Sequence, residues 1–68
     1  MSRHYCACVL HTNDGEYIDV PIYTSGVGWG PMLRAFRKAC ERMGHALKWG
    51  DWAYIGGNMW SFTDIKNA

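Results

Sequence analysis

A single amphipathic helical pattern stands in the middle of this chain, between two pairs of strand-like segments. Apolar residues recur at three- and four-residue spacing from Met32 to Leu47, and mainly basic residues fill the other side of the same helix. One helix can cover only one face of a four-stranded antiparallel sheet. The other face must therefore meet solvent or a partner.

The segment before the helix predicts two strands joined by a tight turn. The first strand runs from Tyr5 to Leu10, and apolar residues alternate with others in the second, from Tyr17 to Tyr23. Between them, Asp14-Gly15 tolerates the positive φ of a hairpin turn, so we expect the strands to be antiparallel neighbours. Pro21 has no amide hydrogen, which places the second strand at an edge or turns that position away from its neighbour.

Three glycines at alternate positions precede the helix, in the segment 25–30, and Pro31 follows, where its fixed φ suits a first helical turn. The spacing matches no phosphate-binding glycine motif, and Pro31 removes an amide, so we expect a hinge or a helix cap. The helix could end at Gly44 in a left-handed cap, or continue and be capped by Gly50. Leu47 keeps the apolar period, which favours the longer helix.

Two aromatic-rich runs follow the helix, Trp52–Ile55 and Met59–Ile65, and Gly56-Gly57-Asn58 joins them as a second hairpin turn. The sequence therefore predicts an α+β fold in the order ββαββ, a four-stranded antiparallel sheet with one helix on one face. All 68 residues are expected to form one domain.

The size of the chain limits its function. A core of 68 residues is too small to hold a deep pocket, and no Ser or Cys is placed beside a base with an orienting carboxylate. We therefore expect no enzyme and no cofactor. No apolar run is long enough to span a membrane and no signal peptide is present, so a cytoplasmic protein without a membrane partner is expected.

The cysteines raise the question of a metal. His4, Cys6 and Cys8 share strand parity, and Cys40 lies on the apolar side of the helix, which gives four ligands in one neighbourhood that would suit zinc. Cys-x-Cys lacks the usual knuckle spacing, and no second pair exists. We therefore expect no metal, and three free thiols in a reducing cytosol.

Charge is strongly polarised along the chain. Five basic residues and one acid lie between Pro31 and Trp49, giving +4, while two basic and five acidic residues elsewhere give −3. The helix face formed by Arg34, Arg37, Lys38 and Arg42 could contact phosphates or an acidic protein patch. Its modest charge matches an acidic protein patch better than a long run of phosphates.

Surplus aromatic residues indicate a second candidate surface. If Ile18 and its neighbours face the helix, Tyr17 and Tyr23 face away from it. In the later strands the period leaves open which aromatic pair points outward, so Trp60 is a candidate for the uncovered face. Trp29 could be an exposed anchor or fold back over the sheet edge. These residues could also cover the sheet by pairing two copies of the chain.

From the helix onward the chain resembles small bacteriophage anti-CRISPR proteins that inhibit type I systems. The resemblance is carried by a helix ending Leu47-Lys48-Trp49-Gly50, then by Trp52-Ala53-Tyr54-Ile55-Gly56-Gly57-Asn58 turning into Met59-Trp60-Ser61-Phe62. It implies a protein that occupies a surface of a Cas effector complex and blocks it without chemistry. It gives no single residue a role, and the near-neutral charge argues against DNA mimicry.

These observations predict a cytosolic, non-enzymatic interaction protein, a phage inhibitor of host defence that binds a Cas effector by steric occlusion. The alternative is a small nucleic-acid-binding regulator that uses the basic helix and the aromatic sheet face. The residues expected to bind the partner are Arg34, Arg37, Lys38, Arg42, Tyr17, Tyr23, Trp29 and Trp60.

Overall fold

The computed structural model describes residues 4–24, 26 and 28–68, and it confirms the predicted α+β architecture. The elements are β1 (His4–Cys6), β2 (Val9–His11), β3 (Tyr17–Asp19), β4 (Ile22–Thr24), α1 (Trp29–Arg42), β5 (Trp52–Ile55), β6 (Asn58–Ser61) and α2 (Phe62–Lys66). The main sheet has the antiparallel order β3-β2-β5-β6, and β1 pairs with β4.

The first two predicted strands each appear as two short segments of one bent hairpin. Cys6 pairs with Ile22 and Val9 pairs with Asp19, so the register does not change across the bend. At the bend the Val20 amide donates to the Cys8 carbonyl oxygen at 2.8 Å. Pro21 lies between β3 and β4, on an outer strand of the hairpin, as predicted.

The turn of this hairpin is built from Asn13, Asp14 and Gly15. The Thr12 amide donates to the Glu16 carbonyl oxygen at 2.9 Å, and the Gly15 amide donates back to the Thr12 carbonyl oxygen at 3.0 Å. Gly15 has φ +89°, the left-handed conformation that closes a three-residue hairpin loop. The predicted first hairpin is confirmed.

The predicted extension of the helix to Gly50 is wrong. α1 begins after the N-cap Gly28 with Pro31 in its first turn, and it ends at Arg42. Gly44 has φ +81°, and its amide donates to the Glu41 carbonyl oxygen while the His45 amide donates to that of Cys40. This Schellman motif stops the helix. Ser25 and Val27, in the loop predicted to be a hinge or cap, lie outside the described residues.

Leu47 led to the wrong helix prediction because it packs against the core from a loop rather than from a continuation of α1. The hydrophobic period therefore continues past Gly44 although the backbone does not. Within the described residues, no helix is long and apolar enough to cross a membrane.

The second hairpin turns through Gly56 and Gly57, whose φ values are +58° and +84°. Two consecutive positive φ angles define the turn type that matches the twist of a two-residue hairpin, so this prediction is confirmed.

The predicted fourth strand is too long. It ends at Ser61, and α2 follows where the strand was expected to continue to Ile65. The Ser61 hydroxyl accepts from the Asp64 amide at 3.2 Å, and the Ser61 amide donates to the Asp64 carboxylate at 3.1 Å. This capping box begins a helix, which turns Ile65 into the core.

The core lies between the sheet and α1. Leu10 pairs with Ile18 on one side and with Ala53 on the other, and this cross-strand row faces the helix. The helix contributes Phe36, which is fully buried. The other buried apolar side chains are Cys8, Val20, Ile22, Leu33, Ala39, Cys40, Ile55 and Ile65. As expected, the helices leave the second sheet face uncovered.

Candidate functional site

The uncovered side of the sheet presents the largest group of exposed aromatic side chains. Strand alternation and cross-strand pairing place two rows on it, one from Tyr17 through His11 and Trp52 to Ser61, the other from Asp19 through Val9 and Tyr54 to Met59. The bent end of the hairpin extends the same side. This open face consists of Tyr5, Ala7, Val9, His11, Tyr17, Asp19, Pro21, Tyr23, Trp52, Tyr54, Met59 and Ser61.

Six large side chains of the open face are exposed to solvent. They are Tyr17 (74% exposed), Tyr5, Tyr23, Met59, Tyr54 and Trp52 (44% exposed). Contiguous apolar patches of this kind on a small protein mark interaction sites. Tyr and Trp are the residue types that contribute most to binding at protein interfaces.

Aromatic contacts hold parts of the open face in place. The His11 and Tyr17 rings stack with centroids 4.5 Å apart and planes 7° apart. The Tyr5 and Tyr23 rings meet at 5.2 Å in a tilted arrangement. Because these rings are already ordered on strands, binding a partner would cost little of their conformational entropy.

Two shallow grooves cross the open face. One, of about 340 Å³, is lined by Val9, His11, Tyr17, Tyr54 and Met59. The other, also of about 340 Å³, is lined by Tyr5, Ala7, Cys8, Val9, Asp19 and Pro21. Among the residues that the structure describes, Asp19 is the only Asp, Glu, Lys or Arg residue on the open face. The grooves therefore suit apolar and aromatic groups of a protein better than phosphates.

The structure separates the residues predicted to bind a partner. Tyr17 and Tyr23 lie on the open face, whereas Trp60 points to the helix side, where it pairs with Ala53 in register. The Trp60 indole Nε1 donates to the Ile55 carbonyl oxygen at 3.4 Å. Trp60 therefore belongs mainly to the packing of the second hairpin.

Trp29 folds back over the molecule rather than standing free. Its ring lies 5.0 Å from the Trp60 ring, and its edge approaches Gly56, where an added Cβ would lie 3.1 Å from a Trp29 ring carbon. The side chain is still 43% exposed. It thus covers the turn between β5 and β6 on the side away from the open face.

The predicted helix cations fall into two groups. Arg34, Lys38 and Arg42 line a groove of about 370 Å³ between α1 and β4. Arg37 instead donates from Nη1 to the carbonyl oxygens of Ile65 at 3.0 Å and Lys66 at 2.9 Å. Because those carbonyls belong to the end of α2, Arg37 joins the two helices and has a structural role.

The sequence pattern alone did not assign several residues to the open face. Trp52, Tyr54 and Met59 were left undecided because a two-residue period alone does not say which parity is buried. The pairing of Tyr54 with Met59 follows from the two-residue turn at Gly56 and Gly57. Small Ala53, between the two aromatics, and β-branched Ile55, after them, were the available signal that the aromatics point outward.

The cysteine neighbourhood favours buried thiols. The Cys6 and Cys8 sulfur atoms lie 3.5 Å apart. Burial, reinforced by Cys6, raises the pKa of the Cys8 thiol to about 12. Burial raises the pKa of the Cys40 thiol to about 12, with smaller contributions from the charges of Asp51 and Glu41. Thiolates, not thiols, ligate metals. Among residues 4–24, 26 and 28–68, no group of three or more His, Cys, Asp or Glu is arranged to hold a metal ion.

The buried carboxylate of Asp51 connects two loops. Its Oδ1 accepts from the Asn13 amide at 3.0 Å, and its Oδ2 accepts from the Lys48 amide at 2.8 Å. Asn13 also donates through its side chain to the Trp49 carbonyl oxygen at 3.0 Å. These bonds tie the first hairpin turn to the segment after α1, which gives Asp51 a structural role.

Comparison of the chain with protein-family models, curated proteins and solved structures finds no match.

Proposed function

We propose that this chain is a small non-enzymatic interaction protein that binds a partner protein through the open face. We further propose that it is a phage-encoded inhibitor, acting in the bacterial cytoplasm, that blocks a Cas effector complex by occupying its surface. The observation that carries the proposal is the concentration of Tyr5, Tyr17, Tyr23, Trp52 and Tyr54 on one uncovered sheet face. The resemblance of the C-terminal half to type I inhibitors supports the choice of partner.

The architecture suits steric inhibition. The helices and the core support the sheet from behind, so the open face is presented on paired strands rather than on mobile loops. A partner that covers this face would bury aromatic rings at the centre, where interface hot spots occur. A tightly bound protein of this size would then exclude another ligand from the same surface of the partner.

The charges of the open face favour a protein partner over a nucleic acid. Single-strand-binding sheets combine stacking aromatics with basic residues that follow the phosphates. Here Asp19 adds a negative charge beside Val9, and the residues of the face within 4–24, 26 and 28–68 include no Lys or Arg. On the described part of this face, phosphates would meet aromatic rings without a cation to neutralise them.

The test is binding of the purified chain to a purified type I Cas effector complex, measured as a dissociation constant. We expect Tyr17→Ala and Tyr54→Ala each to weaken binding by about 30-fold, the value of a hot spot of about 2 kcal/mol. Both side chains are at least half exposed, so the fold should tolerate the changes.

Trp49→Ala is the matched control, since Trp49 is as exposed as Tyr17 (75% against 74%) but lies outside the open face. Its affinity should equal that of the unchanged chain. Full affinity in both tyrosine variants would exclude the open face as the binding surface. If the unchanged chain does not bind the effector complex, the choice of partner is wrong.

A further inference from the structure

A second surface, separate from the centre of the open face, concentrates positive charge. The groove between α1 and β4 is lined by Tyr23, Thr24, Pro31, Arg34, Ala35, Lys38 and Arg42. Three of these seven residues are cations and none is acidic. The groove, of about 370 Å³, is open to solvent and has space for a few side chains of a partner.

The three cations form a regular row. Arg34, Lys38 and Arg42 follow each other at four-residue intervals on one helix. Successive cations are therefore separated by about 6 Å along the helix axis, and the row spans about 12 Å. In an extended peptide, alternate residues on one face lie about 6.6 Å apart. Acidic side chains at alternate positions of an extended segment would thus meet the row nearly in register.

The other wall of the groove is the outer strand of the hairpin. Among the described residues, β4 pairs only with β1, so its second edge has no strand partner. Val20 donates its amide toward Cys8, and backbone groups alternate in direction along an antiparallel strand. Pro21 and Tyr23 therefore direct their backbone toward the free edge. Pro21 has no amide hydrogen to donate and does not line the groove. Tyr23 therefore supplies the free backbone amide and carbonyl beside the cations.

We propose that this groove binds an acidic segment of a partner protein in an extended conformation, which pairs with the β4 edge at Tyr23 and places alternate carboxylates on Arg34, Lys38 and Arg42. The proposal deepens the proposed function, because it rests on a protein partner and specifies the chemistry of one of its contacts. Arginine is well suited to the role, since its planar guanidinium binds carboxylates with two parallel hydrogen bonds.

The first test uses labelled synthetic peptides and fluorescence anisotropy with the whole chain. A peptide that alternates Glu with Thr should bind at low salt and weaken as salt is added. The same peptide with Gln in place of Glu should not bind. A peptide of identical composition with its Glu residues in one block should bind more weakly. Equal binding of the alternating and block peptides would overturn the extended geometry.

Charge-removing variants locate the site. Arg34→Gln with Lys38→Gln should weaken binding of the alternating peptide by about tenfold. The control, Lys48→Gln with Lys66→Gln, removes the same charge from positions outside the groove. Equal losses in both variants would show an unspecific charge effect and overturn the proposal. Thermal unfolding of each variant verifies that it is folded.

Amide chemical shifts of the labelled protein test the strand pairing. Adding the alternating peptide should shift the amide of Tyr23 and leave that of Tyr17, at the other end of the hairpin, unchanged. Shifts confined to the open face around Tyr54 would overturn the proposal.

A short single-stranded oligonucleotide is tested with the same variants. If it binds more tightly than the acidic peptide and loses affinity with Arg34→Gln and Lys38→Gln, the groove is a nucleic-acid site and the proposal is wrong. If the peptides do not bind while the effector complex still does, the groove is rejected as a peptide site but the open face is not rejected as a binding surface. The two proposals can therefore fail independently.

Discussion

At the scale of single residues, the same residue type performs different tasks according to what surrounds it. Arg37 is held by two carbonyl oxygens at the end of α2, whereas Arg34 and Arg42 line an open groove, although all three were expected to bind a partner. Asp51 is buried and accepts two amides, whereas Asp19 lies on the open face. A residue's role here is therefore set by its partners rather than by its charge.

Asp51→Ala should strongly destabilise the fold, because the Asn13 and Lys48 amides would lose a charged acceptor. Hydrogen bonds to charged groups contribute about 1.5 to 3 kcal/mol each, so we expect a loss of about 3 kcal/mol. The free energy of unfolding from denaturant titration measures this. Asp14→Ala, an exposed acid in the same turn region, should change it by less than about 0.5 kcal/mol. Similar values for both variants would contradict the structural role of Asp51.

At the scale of elements, backbone geometry overrides hydrophobic period at two places. Leu47 continues the apolar spacing of α1, yet Gly44 ends the helix through left-handed backbone and two carbonyl contacts. Ile65 continues the apparent strand β6, yet the Ser61–Asp64 capping box begins α2. In both cases the buried residue reaches the core from a different element than the one its spacing predicts.

The change in the free energy of unfolding caused by Gly44→Ala tests whether the helix ends at this glycine. With φ +81° and no atom within 4 Å of an added Cβ, Gly44 has space for alanine but not the right backbone conformation. A left-handed alanine costs about 1 kcal/mol, so the free energy of unfolding should fall by that amount. In a helix that continued to Gly50, the same substitution would stabilise by about 1 kcal/mol. Thermal or chemical denaturation distinguishes the two signs.

At the scale of the whole molecule, one core joins the hairpins and the helices. Cys8, from the bend of the first hairpin, and Cys40, from α1, are both buried in it. The two faces around this core differ in character, since the open face is aromatic with one acid and the groove beside α1 is basic. The two surfaces are neighbours and meet at Tyr23.

The two buried thiols should make stability fall in alkali. Burial raises both pKa values from 9.0 to about 12, so the folded chain keeps protons that the unfolded chain releases. This stability is fully present below pH 9 and is lost as pH rises toward 12. Each thiol should contribute a decrease of about 1 kcal/mol per pH unit in this window.

The measurement is the free energy of unfolding from pH 7 to pH 11, compared with that of Cys40→Ala. The variant should be less stable at neutral pH and should show a shallower alkaline decrease, because it lacks one of the thiols. Both proteins carry the same other ionisable groups, so the comparison cancels their contribution. Parallel curves for the two proteins would contradict the burial of the Cys40 thiol.

Local chemistry made much of the fold predictable. Asp14-Gly15 and Gly56-Gly57 specify their turns because few other residues adopt positive φ, and Pro31 marks the start of a helix for a similar reason. The uncovered sheet face followed from counting one main helix against four strands. Tyr17 and Tyr23 were correctly expected on that face, since strand alternation places them opposite Ile18 and Ile22.

What the sequence could not determine depends on contacts between distant residues. Trp52 and Tyr54 face outward, and Trp60 inward, only because β5 pairs with both β2 and β6 while α1 packs on one side. The groove of Arg34, Lys38 and Arg42 needs β4 as its second wall. Arg37 does not line it and instead bonds to carbonyl oxygens at the end of α2. By itself the sequence determined the turns, the helix start and the existence of an uncovered face, because these follow from local conformation and element number. The tertiary structure alone decided which side chains form each surface, because facing direction and pairing depend on packing across the sheet.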